Sequence, residues 1–454
     1  MGLGCTKERL NKEAQLGQCH VQVMKHFKYT MFCLLAYMCF GDKFDEKVIG
    51  DIEDMERNII LSLSRFNLLG AFPKLTKMLM PKRWEELHEL INNQERVFVP
   101  LIRARKEKQR RSDDVVAYVD TLLNLSVPSE EGGVRKLSEK EIATLCTEFF
   151  NAAADTTSTT MEWIMANLVK YPKIQEKLYS EIQGVVSSRD GGDEGDDIKD
   201  EELHKMKYLK AVVLEGLRRH PPAHVGIPHA VKDDVLLEGH LVPRDAIIIF
   251  TIAEMGWDPT VWEDPMEFKP ERFLVSEMGG LDITGTREIK MMPFGAGRRI
   301  CPGLSFGMQL LEYLVVNLVK DFKWTARMGD DVDLSEKIEL TSIMKHPLQK
   351  RGCRSRLNQK PASITERGRK LQKKARGNRR ERKEETYGNI GKAGEALGEL
   401  GVTKMMEERM GEERKMTWVR NREGKSGRIR EKDRAKGCRY RPQPPEQSCQ
   451  LYKA

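Results

Sequence analysis

A cysteine set among glycines and arginines carries the sharpest chemical signal in this chain. The segment Met292-Pro-Phe294-Gly-Ala-Gly297-Arg298-Arg299-Ile-Cys301-Pro302-Gly303 has the spacing Phe-x-x-Gly-x-Arg-x-Cys-x-Gly. At average residue frequencies a chance match in a chain of this size is on the order of one in ten thousand. Its glycines permit a tight turn that brings backbone close to a flat ligand, and Arg299 can neutralise an anion beside it. Cys301 falls at the start of an apolar helix, Leu304 to Phe322. Pro302 suits a first helical position, and the free N–H groups of Gly303 and Leu304, with the positive helix end, can stabilise a thiolate. The alternative is a buried structural cysteine.

Two further segments bear on the chemistry. Asn151-Ala-Ala-Ala-Asp155-Thr156-Thr157-Ser-Thr-Thr160 is small and hydroxyl-rich where helix propensity would favour Leu or Glu. A buried helix that turns small and polar at its centre makes room. It can equally permit close packing, its threonines bonding back to carbonyls one turn earlier. In Leu209-Lys-Ala-Val-Val-Leu-Glu215-Gly-Leu-Arg218-Arg-His-Pro221-Pro222, Glu215 and Arg218 stand on one helix face. Their bidentate pair is valuable only if it is buried and further hydrogen-bonded. Alone, Glu-x-x-Arg arises by chance about once per chain of this length and reads as a solvated pair.

The elements that position these residues are mostly helices, with strand-like patches late in the chain. Ser138 and Glu141 have capping-box spacing, and Leu137 and Ile142 can close a hydrophobic staple. A helix is predicted from about Glu139 until Pro172 stops it, which is about 32 residues and roughly 48 Å. Residues 46–108 alternate charged and apolar positions at helical spacing, broken by Gly70 and Pro73, and predict several packed helices. The early apolar run Met31 to Phe40 is far short of the roughly 20 residues that span a bilayer, so it predicts a buried core helix.

Composition bounds the class. With 454 residues and 39% apolar content the chain can build a real core. The net charge of +8 hides two regions: from Arg351 onward 30 Lys and Arg face 14 Asp and Glu, leaving 47 basic and 55 acidic residues before it. The body is therefore acidic and the tail basic. Nine cysteines without Cys-x-x-Cys spacing argue for free thiols rather than a disulfide framework. Nucleic-acid binding by the tail is not expected, because aromatics are few and no recognition fold is visible.

On these motifs the chain resembles the cytochrome P-450 superfamily over about Thr30 to Leu348. It is similar in particular to the plant A-type enzymes of the family numbered 89, subfamily A. Supporting strings are Phe32-Cys-Leu-Leu-Ala-Tyr-Met-Cys-Phe-Gly-Asp42, Ala166-Asn-Leu-Val-Lys-Tyr-Pro172 and Val261-Trp-Glu-Asp-Pro-Met-Glu-Phe-Lys-Pro-Glu-Arg-Phe273. The resemblance implies a partial cytochrome P-450 fold, mainly α with small β-sheets, holding heme b. Cys301 would be the axial iron ligand, and Arg299 and His229 would be propionate partners. Phe294, Gly297 and Gly303 would shape the cofactor loop. Glu215, Arg218 and Arg272 would form a buried charge triad. The long helix would cross the distal heme face, with Asp155 and Thr156 delivering protons. A thiolate pushes electron density through iron and favours O–O cleavage. The implied activity is a monooxygenase that inserts one atom of O2 into a lipophilic small molecule. Nothing here resembles a nicotinamide or flavin domain, so a separate NADPH-cytochrome P-450 reductase is implied.

Departures from the family pattern qualify this. Ala153 stands where Gly is usual, and Trp257 replaces an Arg before Asp-Pro. Judged from how early Cys301 falls, roughly 150 family residues precede this start, including the membrane anchor, the first sheet and a Trp/Arg propionate helix. The expected division is an incomplete heme-thiolate domain, 1–349, and a basic disordered tail, 350–454. The family resides in the endoplasmic reticulum membrane, whereas this chain shows no span of its own and could be cytoplasmic. The competing function is a heme-free remnant whose basic tail at most mediates interactions. Phe150, Ala154 and Val225 are candidates to line a pocket.

Overall fold

The computed structural model describes residues 21–355 apart from 109–114, 130–131, 190–196, 275–281, 327–330 and 351–353, together with Gly4, Lys7 and Arg9. The chain divides after Lys360, and the second unit, Pro361–Ala454, lies outside the described residues, as does most of the expected basic tail.

Twelve helices are described: α1 Val23–Phe40, α2 Glu46–Ser62, α3 Asn67–Ala71, α4 Pro73–Leu79, α5 Pro81–Glu107, α6 Tyr118–Asn124, α7 Glu139–Lys170, α8 Pro172–Val186, α9 Asp200–Leu203, α10 Lys207–Arg219, α11 Ile252–Trp257 and α12 Leu304–Asp321. The strands are short antiparallel pairs. Two of them, His229–Ala230 with Ile247–Ile248 and Glu336–Ile338 with Ser342–Met344, flank the region of interest. The fold is therefore mainly α with small sheets.

The long central helix α7 spans 32 residues, and its start is written locally. Ser138 Oγ accepts from the Glu141 N–H at 3.3 Å while the Glu141 carboxylate accepts from the Ser138 N–H at 2.8 Å. A bond from Arg135, reinforced by Ser138, holds the Glu141 carboxyl down at about 2. Proline starts α4, α5 and α8, where its missing N–H costs nothing. Gly70 does not break the helical region as predicted: it sits inside α3, and the chain turns at Phe72, before Pro73.

Helix α7 packs against α1, α5, α10 and α12. The aromatic heart of that packing is Phe150 of α7, whose ring lies 6.0, 6.4 and 5.6 Å from those of Phe32, Phe40 and Phe98. The Met31 to Phe40 run is buried in this core, as its apolar character predicts. Among the described residues no helix is long and apolar enough to cross a membrane. Cys39 and Cys146 face each other at 3.6 Å inside the core.

Candidate heme-thiolate site

The cysteine loop owes its shape to two glycines. Gly295 and Gly297 have φ of +72° and +68°, a region that side chains with Cβ enter only at a cost. These turns let the Cys301 N–H donate to the Phe294 carbonyl at 2.8 Å, closing the loop, while residues 297–299 form a single 3-10 turn. Cys301 is thereby held half-exposed, with Arg298 and Arg299 exposed beside it. A Cβ on Gly297 would meet nothing within 4 Å, so the loop borders open space, whereas one on Gly303 would stand 3.7 Å from Cys301 Sγ. Helix α12 begins at Leu304 with Gly303 as its cap, so Pro302 lies in the preceding turn rather than at the first helical position. The Phe294 ring lies 3.6 Å from where a Cβ on Gly307 would sit, so the bare α12 backbone there gives the ring room.

The centre of α7 opens where its residues become small. Ala152 is exposed and Asn151, Ala153, Asp155 and Thr156 are half-buried, while Ser158 through Val169 are wholly buried. Thr156 Oγ1 donates to the Ala152 carbonyl at 2.8 Å, and Thr160 repeats the pattern onto Thr156 at 2.9 Å. Asp155 is paired with Lys28 of α1 at 2.7 Å. Sequence reasoning missed Lys28, because nothing local in α1 marks a lysine whose partner is far along the chain. Phe150 and Ala154 turn the other way: at 0% and 2% exposed they belong to the core and do not line the opening, which corrects the pocket expectation. Val225 is exposed, on a ribbon with Ile227 and Phe250 that leaves apolar side chains open to solvent. His229 lies on the same ribbon, edge-on to Phe250 at 5.7 Å.

Glu215 is fully buried, and among the described residues each of its hydrogen-bond partners is a donor. Arg218 grips it through Nε at 2.7 Å and Nη2 at 2.9 Å, the Lys269 N–H donates at 2.7 Å, and Arg272 Nε completes the set at 3.2 Å. Arg218 also donates to the Gly256 carbonyl at 2.5 Å and lies over the Trp262 ring. This is the buried, fully bonded form of the Glu-x-x-Arg pair, in which the charge is compensated on all sides. Trp257 donates its indole N–H to the Arg219 carbonyl at 2.9 Å, tying α11 to the end of α10.

The residues present fit an iron porphyrin. A soft thiol stands half-open at a helix start, guanidinium and imidazole groups that could meet carboxylates are exposed, and positive-φ glycines leave the loop bordering free space.

Comparison with known proteins agrees with this geometry. The family model described as Cytochrome P450 matches residues 4–353. Cytochrome P450 89A9 of Arabidopsis thaliana is 49% identical over 331 residues, covering 72% of this chain and 64% of its own length. Geraniol 8-hydroxylase of Catharanthus roseus is 32% identical over 302 residues, covering 66% of this chain and 58% of its own. The chain thus spans about three fifths of the length of these curated relatives. A zebra fish cytochrome P450 structure with progesterone superposes with a TM-score of 0.63 at 21% identity, covering 78% of this chain and 76% of that one, a likeness of fold.

Proposed function

Because this chain belongs to the cytochrome P450 family, we propose that it is a heme-thiolate monooxygenase. It would insert one atom of O2 into a lipophilic small molecule, with electrons from a separate NADPH-cytochrome P450 reductase at the endoplasmic reticulum membrane. The observation that carries this reading is the half-exposed Cys301 thiol at the end of its glycine-turned loop.

Cys301 would hold heme b through Sγ, Arg299 and His229 would take its propionates, and Phe294, Gly297 and Gly303 would shape the loop against it. When bound, the heme supplies the activation of O2, helped by electron density from a thiolate ligand. The chain's own residues do the rest. Lys28 holds Asp155 by Oδ1 beside Thr156, where the carboxyl can collect a proton from solvent. Thr156 lends its Oγ1 proton to the Ala152 carbonyl, a bond it can exchange for an oxygen acceptor in the opening. Val225, Ile227 and Phe250 would shed water to a lipophilic ligand, which favours that substrate class. Glu215, Arg218 and Arg272, bonded to one another in the core, would hold the proximal side in shape.

The test is the spectrum of the reduced, carbon-monoxide-bound protein. The wild-type chain is expected to absorb at the position that marks thiolate ligation, and Cys301→Ser to lose that band. Unchanged pigment and spectrum in Cys301→Ser would overturn the proposal, and a colourless wild-type protein would favour a heme-free chain.

A further inference from the structure

Between α2 and α5 the facing side chains are polar where helix packing would favour apolar ones. Asn58 of α2 and Arg65 of the 3-10 turn Leu63–Phe66 line one side of a cleft, and Glu86, Glu89, Asn93 and Arg96 of α5 line the other. Residues three, four and seven apart share a helix face, so the α5 set forms a single stripe. The cleft has a volume of about 420 Å³, within the range of small-molecule sites. Arg65 meets Glu86 at 2.8 Å and Arg83 Nη1 donates to the Arg65 carbonyl at 3.1 Å, which ties the end of α2 to the start of α5.

The Arg65 and Glu86 side chains are 55% and 46% exposed, and a pair so open to water adds little to stability. Two charges are left over. The side chains of Glu89 and Arg96 make no ion pair or hydrogen bond among the described residues, and neither do the amides of Asn58 and Asn93. Glu89 and Arg96 stand two turns apart on α5, roughly 10 Å along its axis, and both open onto the cleft. With two guanidinium groups and two carboxylates the lining is neutral as a whole but carries a free charge of each sign. A simple anion would be repelled near Glu89 and a simple cation near Arg96. A molecule with both charges meets each with its opposite. The Arg96 fork suits a carboxylate, which it can hold by two N–H bonds, and Glu89 can accept from an ammonium. The Asn58 and Asn93 amides can bond a peptide group between them, and the half-buried Phe66 and Leu90 of the same lining can take an apolar side chain.

We propose that this cleft is a binding site for a short zwitterionic peptide, with its terminal carboxylate on Arg96 and its ammonium on Glu89. Neither the cysteine loop nor the centre of α7 contributes to the lining, so the proposal goes beyond the heme chemistry and does not rest on it.

Glycylphenylalanine is the probe, compared with its amide, which lacks the anion, and its N-acetyl form, which lacks the cation. In nitrogen-15 NMR of the full chain, pigmented or not, the dipeptide is expected to move the side-chain amide signals of Asn58 and Asn93. Each capped form should bind at least about tenfold more weakly, the loss of one charged hydrogen-bonding contact. Arg96→Gln should abolish the preference for the dipeptide over its amide and keep the preference over the N-acetyl form, and Glu89→Gln should do the reverse. Both side chains are exposed and unpartnered, so neither variant is expected to disturb folding. Stationary Asn58 and Asn93 signals, equal affinities for the three probes, or a preference that survives its matching substitution would each overturn the proposal and leave the heme reading standing. A colourless chain that binds the dipeptide as expected would sink the heme reading alone.

Discussion

At the scale of single residues, the site is built from groups whose value depends on what surrounds them. Cys301 is an ordinary thiol until two positive-φ glycines and the Phe294 carbonyl hold it at the edge of open space. Glu215 is the opposite case, a charge sealed in the core and answered by Arg218, Arg272 and the Lys269 amide. Its replacement by Gln leaves two guanidinium groups without a counter-charge, and breaking such a buried network costs about 3 to 5 kcal/mol. Urea denaturation of Glu215→Gln reads that loss, and a midpoint equal to wild type would refute the account. The Glu-x-x-Arg spacing alone read as a solvated pair and only the family resemblance supplied Arg272 and the burial, because Arg272 arrives from a separate segment that no local pattern links to Glu215.

Helix α7 shows which parts of an element are written locally. Its start follows from Ser138 and Glu141, neighbours whose reciprocal bonds need no tertiary partner. Ser138→Ala should therefore cost about 1 kcal/mol, as loss of a cap does elsewhere, and thermal unfolding would show it. No shift in melting temperature would mean that core packing alone holds the helix end. The middle of α7 is another matter. Its small, hydroxyl-rich run was compatible both with a cavity and with close packing, and the structure leaves one face accessible and packs the other. Ala152 is exposed while Phe150 and Ala154, on the far side, enter the core with Phe32, Phe40 and Phe98. A one-dimensional pattern of small residues cannot say which face is open; only the neighbours can.

For the molecule as a whole, the core holds carboxyls that favour the protonated state. Burial raises Glu56 to about 9 and Glu162 to about 7, and Glu56 sits near the Thr147 hydroxyl and the Cys146 and Cys39 thiols. Both folded values exceed those of the unfolded chain, so their contribution is complete below the ordinary carboxylate range and is lost as pH rises through the folded values. Above pH 7 only Glu56 of the two is still titrating, and wild-type stability should fall by on the order of 2 kcal/mol between pH 7 and 9. Glu56→Gln should flatten that decline in urea midpoints taken at the two pH values, and parallel slopes would disprove the assignment. Family, helix-rich class and the glycine-turned cysteine loop were all legible from the sequence, because glycine conformation, proline breaks and helix caps act between neighbours in the chain. The pairing of Lys28 with Asp155, the sharing of Glu336 by His220 and His224 and the choice of which α7 face lies open were decided only by the tertiary structure. Those contacts join residues far apart in sequence, and their energies exist only once folding has removed the intervening water.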